Sequence, residues 1–550
     1  MVKTKGLFSF WNMTKIIVLL FVLTFLIYPF SSMIINSFRE PGSKAFSLEN
    51  FRTFFSLPYY YETLFRSLKI ALITMVITLL VGLPIAYLMT RFNVAGKKAL
   101  HILMIISLMS PPFIGAYSWI ILFGRSGVIT KLVARIGITI PTIYGQGGII
   151  MVLSLMMYPY IYLYVSGALG SIDSSLEEAA ENLGSSKFRR LLTITMPVVL
   201  PSILAGAVVV FMTALADFGT PMLLGEGYKV LPVMIYEEYM SEIGGNANLA
   251  SALSIVIVFL STLVLMIQRW IIAKRNYVMT SQRPPAVIEL HGFKRFLASF
   301  PIYLVCAISI LPQITVIVTS FKNTKGPMFV KGFGLESYKS ILYRLSKPIG
   351  NTYLFSIISI VLIVIFGVLL AYLIVRKKGP VSSLLDTLVM FPYVIPGSVL
   401  GICLLIAFNK KPIILTGTAI IMIVSYVIRK LPFTVRSSSA FLQQMDPSIE
   451  EASVSLGVPP SRTFVKITIP IMAPGIISGA ILSWITCINE LSSSIMLYTG
   501  KTATIAVSIY TEVVRNSFGT AAALASILTA STAISLIIFM KLSKGRVSVV

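Results

Sequence analysis

Long apolar runs alternate with short polar joints along the whole chain. Twelve runs can be marked, at about residues 14–35, 66–90, 99–123, 148–168, 200–224, 249–272, 296–320, 353–375, 383–408, 412–432, 473–498 and 518–541. Each reaches the roughly 20 residues that a helix needs to cross the hydrocarbon core of a bilayer. The pattern therefore predicts an all-α polytopic membrane protein of about twelve spans. The uncharged part of the first run, Ile16 to Ile35, follows Lys3, Lys5 and Lys15, is too long for a signal-peptide core and has no small-residue cleavage site, so it is read as a span.

Composition sharpens the picture in one respect. Of 550 residues, 56% are hydrophobic and 12% charged, and the net charge is +25. The basic residues are scattered between apolar runs and form no continuous patch, which argues against nucleic acid and for topology and anionic lipid. Short clusters next to helix ends (Lys97/Lys98, Lys187/Arg189/Arg190, Lys274/Arg275, Lys294/Arg295, Arg376/Lys377/Lys378, Arg429/Lys430, Lys541/Lys544) fall on the inner side if both termini are cytoplasmic. The outer segment 322–347 also carries six lysines and arginines, but long loops weigh less in that rule.

The chain is duplicated. Asp173-Ser-Ser-Leu-Glu-Glu-Ala-Ala-Glu-Asn-Leu-Gly184, followed by Pro197 and Pro201, recurs as Asp446-Pro-Ser-Ile-Glu-Glu-Ala-Ser-Val-Ser-Leu-Gly457, followed by Pro470 and Pro474, at a constant offset (457 − 184 = 273). Upstream, Gly82-Leu-Pro-Ile-Ala86 parallels Gly367-Val-Leu-Leu-Ala371, and Pro29 parallels Pro312, at offsets of 283–285. The excess in the first half fits a longer outer loop at 125–148 than at 409–417. Each half then holds six spans, with the polar motif between the fourth and fifth. An even number of spans makes the units parallel. The expected organisation is a unit at 1–272, a cytoplasmic linker at 273–295 containing Pro284-Pro285, and a unit at 296–550.

Each copy of the motif predicts a short, strongly bounded helix. Ser174 with Glu177, Ser175 with Glu178, and Ser448 with Glu451 have capping-box spacing. Asp446 before Pro447 suits an N-cap, and Gly184 and Gly457 suit the left-handed stop. So short a helix must pack on something to persist.

Glu178-Ala179-Ala180, with Gly184 and Pro197 beyond, resembles the EAA loop of permease subunits of type I binding-protein-dependent ABC importers. Glu451, Ala452 and Gly457 repeat it, with Ser453 for the final alanine. The resemblance covers essentially the whole chain, and the fused design looks like that of ferric-ion permeases, with thiamine permeases sharing it. It implies that these residues form coupling helices seated on a cytoplasmic ATPase, expected as a homodimer using ATP-Mg. It also implies an extracytoplasmic binding protein and a bacterial inner-membrane location, with no cofactor on this chain. Ferric ion is the expected solute, with thiamine, polyamine or phosphonate as alternatives.

Two carboxylates interrupt the spans. Asp217 and Glu490 correspond at the 273 offset, each 16 residues past a proline (Pro201, Pro474). At 1.5 Å per residue that is about 24 Å along the helix, in the outer half of the membrane. Intramembrane carboxylates usually face a cavity or a partner, and oxygen ligands suit a hard cation. They are candidates for the pathway and for transient metal contact; the alternative is that each satisfies backbone freed by the following break. Tyr158, Tyr160 and Tyr164 on the fourth span are further pathway or interface candidates. Glu226, Glu237, Glu238 and Glu242 in 225–247 are a possible binding-protein patch.

Other chemistry is missing. Gly500-Lys501-Thr502 mimics a phosphate loop, but the required upstream glycine is Ile495. Cys306, Cys403 and Cys487 lie inside apolar runs, and His101 and His291 form no cluster. A secondary transporter would share twelve spans in parallel halves, but would carry no duplicated capped helix. No catalytic constellation is present, so an enzyme is not expected.

Overall fold

The computed structural model describes residues 10–40, 43, 45–109, 111–241, 245–273, 287–325 and 328–542. Lys3, Lys5, Glu242, Lys274, Arg275, Pro284, Pro285 and Lys544 lie outside them. Among the described residues, ten helices are long and apolar enough to cross a membrane, or eleven if the bent pair Pro380–Tyr393 and Gly397–Phe408 is one span.

The differences from twelve uniform spans have local causes. The tenth run lies in a helix of full length, Ala419–Gln444, but it carries Arg429, Lys430 and Arg436. The ninth breaks into Pro380–Val394 and Gly397–Phe408 across Pro396. The third, expected as one helix over 99–123, is two, Lys97–Met109 and Pro112–Phe123, parted at Pro111, which is extended (ψ 137°). A proline supplies no N–H to the helical ladder and crowds the carbonyl four residues back.

The same effect, in milder form, explains three π turns. Leu23–Ile27, Leu191–Thr195 and Phe464–Thr468 each end two residues before a proline (Pro29, Pro197, Pro470). The helix widens by one residue rather than breaking: the amide of Met196 reaches back to Leu191 O, and that of Ile469 to Phe464 O.

Within each half, the second, fourth and fifth spans close on duplicated glycines. A Cβ on Gly82 (second span, Pro58–Arg91) would lie 2.6 Å from Ile161 Cβ in the fourth span, Gln146–Gly170. A Cβ on Gly367 (eighth span, Ser346–Arg376) would lie 2.9 Å from Thr434 Cγ2. Gly206 of the fifth span (Lys187–Ala216) and Gly479 of the eleventh (Pro460–Ile488) meet the same two residues, Ile161 and Thr434. With no hydrophobic drive between helices in lipid, such small-residue approaches supply the packing.

The compact units do not follow the sequence halves. One holds the described residues up to Arg52, those from Ile235 to Ile255 and those from Phe321 on; the other holds Thr53–Met234 and Val256–Ser320. The first span, Phe10–Ser37, therefore belongs with the second half, and the seventh, Gly292–Ser320, with the first. Trp11 stacks on Tyr372 (centroids 4.2 Å) and meets Phe464 edge-on, while Phe21 stacks on Phe366. In the other unit, Arg295 Nε donates to Asn93 O (3.0 Å) and Tyr303 OH to Ala95 O (2.8 Å). The end of the linker also docks there: Ile288 N donates to Arg91 O (2.8 Å) and Asn93 N to Ile288 O (3.3 Å). The boundaries at 272 and 296 mark the repeat in sequence, not the bodies in space.

Candidate functional site

The two polar motifs form short helices, Ser174–Asn182 and Ser448–Ser455. Their starts differ from the expected capping boxes. Asp173 caps the first, accepting from Ser175 N (3.0 Å). In the second, Asp446, one residue ahead of the N-cap Pro447, accepts from Ser448 N (2.9 Å). This amide holds the Asp446 carboxyl below its ordinary value.

The glutamate Glu177 is drawn elsewhere because a buried guanidinium needs it. Arg91, at the C-terminal end of the second span, is buried, and its Nη2 lies 2.5 Å from Glu177 Oε1. Thr195 Oγ1, on the π turn of the fifth span, donates to the same oxygen (2.8 Å). The second copy repeats the arrangement: Arg376 Nε donates to Glu450 Oε2 (3.2 Å) and Thr468 Oγ1 to Glu450 Oε1 (2.7 Å). Arg376 also donates to Met445 O (2.8 Å).

Both helices end in the same way. Gly184 (φ +80°) and Gly457 (φ +87°) occupy the left-handed region. In the first copy Gly184 N donates to Glu181 O and Ser185 N to Ala180 O; in the second Gly457 N donates to Val454 O and Val458 N to Ser453 O. These paired bonds are the Schellman closure expected of a C′ glycine.

What remains on the surface is an acidic and apolar face. Glu178, Ala179, Glu451, Ala452, Gly184 and Gly457 are exposed and Ala180 is half-buried. Leu183 and Leu456, corresponding residues, are 87% and 84% exposed, and Leu176 and Ile449 also face outward. Large apolar side chains this bare, repeated at the same place, mark surfaces built to be covered. The two copies differ in a second fastening. Arg190 pairs with Glu181 (2.5 Å) and holds that carboxyl below its usual value, whereas the second copy joins Ser453 Oγ to Thr463 Oγ1 (2.9 Å).

The two carboxylates expected within spans, Asp217 and Glu490, sit at helix breaks just past the span ends. Asp217 is half-buried after the fifth span and accepts from Thr220 N (3.0 Å) at the start of Gly219–Leu224. Glu490 is buried and holds four groups: Arg429 Nη1 (2.5 Å), Lys430 Nζ (2.7 Å), Ser493 N (3.1 Å) and Ser493 Oγ (3.2 Å). The positions corresponding to Arg429 and Lys430 in the first half are Met156 and Met157 (429 − 273 = 156). The tyrosine stripe divides: Tyr158 is buried, 3.1 Å from Ser309 Oγ, while Tyr160 and Tyr164 are half-buried on another face. Glu226 pairs with Arg125 (3.1 Å), and Glu237 and Glu238 are half-buried. The three cysteines are free and buried. Among the described residues, no three His, Cys, Asp or Glu gather where they could hold a metal ion.

The residues that sequence reasoning missed are Arg91, Glu177 and Thr195, with Arg376, Glu450 and Thr468, together with Arg429 and Lys430. A signal existed for the first six: Glu177/Glu450 and Thr195/Thr468 keep the 273 offset, and Arg91/Arg376 keep the 285 offset of Gly82/Gly367.

A bundle of spans whose duplicated polar helices are bolted inward and left bare outward defines a transport permease worked by an external partner. The chain belongs to the family described as binding-protein-dependent transport system inner membrane component, which matches residues 78–277 and 363–549. It is thus a multi-pass inner-membrane permease of an ABC importer, with two such units and no catalytic role of its own. It is 28% identical over 529 residues (93% of this chain, 75% of the relative) to the ferric transport system permease protein FbpB of Actinobacillus pleuropneumoniae. It is 28% identical over 502 residues (88% and 77%) to the putative ferric transport system permease protein FbpB 1 of Haemophilus influenzae. Over 38% of its length it is 28% identical to the molybdenum transport system permease protein ModB of Escherichia coli, of which 93% is covered.

Proposed function

We propose that this permease carries ferric ion, received from an extracytoplasmic binding protein and driven by two copies of one cytoplasmic ATPase. What carries the reading is similarity along nearly the whole chain, both units included, to permeases named for ferric transport. The exposed residues that Ser174–Asn182 and Ser448–Ser455 share, Glu178-Ala179 with Leu183 and Glu451-Ala452 with Leu456, support a partner present twice. With those helices on the ATPase, both termini are cytoplasmic. Closure of the ATPase dimer draws the two helices together and opens the bundle outward; hydrolysis resets it.

Asp217 and Glu490 are proposed to line the route, with Tyr160 beside it. Asp217 offers a hard oxygen to a passing cation. Glu490, held by Arg429 and Lys430, releases its oxygens only if those cations turn away. The test is uptake into proteoliposomes containing permease and ATPase, with ATP inside and binding protein outside. Radiolabelled ferric ion should accumulate only with ATP. Accumulation of thiamine, a polyamine, phosphonate or molybdate instead would replace the solute, and uptake driven by ion gradients without ATP would remove the whole reading. Asp217→Asn should slow ferric uptake with the ATPase still bound.

A further inference from the structure

We propose that Glu177 and Glu450 are positioning residues that lock each coupling helix to the inner ends of two spans, so that the three move as one body. The inference rests on membership of the importer family and not on the identity of the solute.

A coupling helix of nine or eight residues has little stability of its own. It can transmit a displacement only if something stiff ties it to the bundle. Each glutamate does this with one carboxylate: Arg91 or Arg376 ties it to the end of the second or eighth span, and Thr195 or Thr468 to the π turn opening the fifth or eleventh. The π turn has a part in this. It is forced by Pro197 or Pro470 two residues beyond it and includes the threonine at its last position, so the tie sits on the turn that the proline widens. Arg91 and Glu450 are buried and their partners Glu177 and Arg376 are half-buried, so a charge-assisted bond there is directional and shielded from water on one side. The whole set appears twice at fixed offsets although the neighbouring fastenings differ, Arg190–Glu181 in one copy and Ser453–Thr463 in the other. The repetition singles out the glutamate tie from its surroundings.

The test uses the assembled permease–ATPase complex with spin labels at Ser455→Cys on the coupling helix and Lys378→Cys just past the eighth span. In the parent the distance between labels should be the same without nucleotide and with the ATPase trapped closed. In Glu450→Gln it should change on trapping. Glu177→Gln with Glu450→Gln should bind ATPase fully yet move about tenfold less solute per ATP, the order expected when one charged hydrogen bond is lost. Thr195→Val with Thr468→Val, which leaves every charge in place, gives the same readouts if the glutamine variants fold poorly. A label distance that changes in the parent, or an unaltered solute-to-ATP ratio in the variants, would overturn the proposal. Loss of the ATPase from a folded variant would also overturn it, assigning the glutamates to docking. Because the distance needs no solute, a wrong cargo would leave that arm standing.

Discussion

At the scale of single residues, the buried charges decide most. Glu490 balances two cations in a buried cluster, and removing one partner of a buried set costs more than the set contributes. Glu490→Gln should lower stability by about 3 kcal/mol, read as a drop in the thermal midpoint in detergent. Adding Lys430→Met, the residue type the first half uses at Met157, should recover most of it because the net buried charge returns to its parent value. Asp446 gives a pH dependence. Its carboxyl is held below the ordinary 3.8 by the Ser448 amide, so the cap is whole above that pH and is lost as pH falls through the lower native value. Protection of the Ser448 amide from hydrogen exchange should follow that course and become independent of acid in Asp446→Ala.

At the scale of elements, the glycine stops offer a clean experiment. Nothing lies within 4 Å of a Cβ added at Gly184 or Gly457, so only backbone strain opposes a side chain there, about 1 kcal/mol. Gly184→Asn should retain more ATPase in co-purification than Gly184→Val, since asparagine tolerates the left-handed region. Equal losses would mean that the surface, not the turn, needs glycine. These stops, the motif duplication and the prolines were legible because they are local: each is a spacing of a few residues with one physical consequence. The direction of Glu177 was not. Ser174-x-x-Glu177 reads as a capping box, and nothing nearby announces that a buried arginine 86 residues earlier outbids it. The same limit hid Arg429 and Lys430, whose charges resembled an inner flanking cluster but serve Glu490.

At the scale of the molecule, twelve apolar runs foretold a helical bundle, yet apolar periodicity says that a helix is covered and not by which neighbour. The first and seventh spans therefore changed sides without warning: Trp11 sits against Tyr372, and Tyr303 against Ala95 O. If the chain is cut within 274–286 and the halves are produced alone, each should be unstable, having lost a helix that its compact unit requires. Producing them together should restore a complex that resists dilution in detergent. Survival of either half by itself would contradict the exchange.

That trade of arms carries a historical consequence. A unit encoded by its own gene and folded in the same way would embrace its twin through its leading helix, so such a pair would hold together without fusion. Joining two such genes would require no new interface, only a tether long enough to reach, after which the copies would be free to diverge. A charged staple in one and a neutral hydroxyl pair in the other is what such released twins would come to look like.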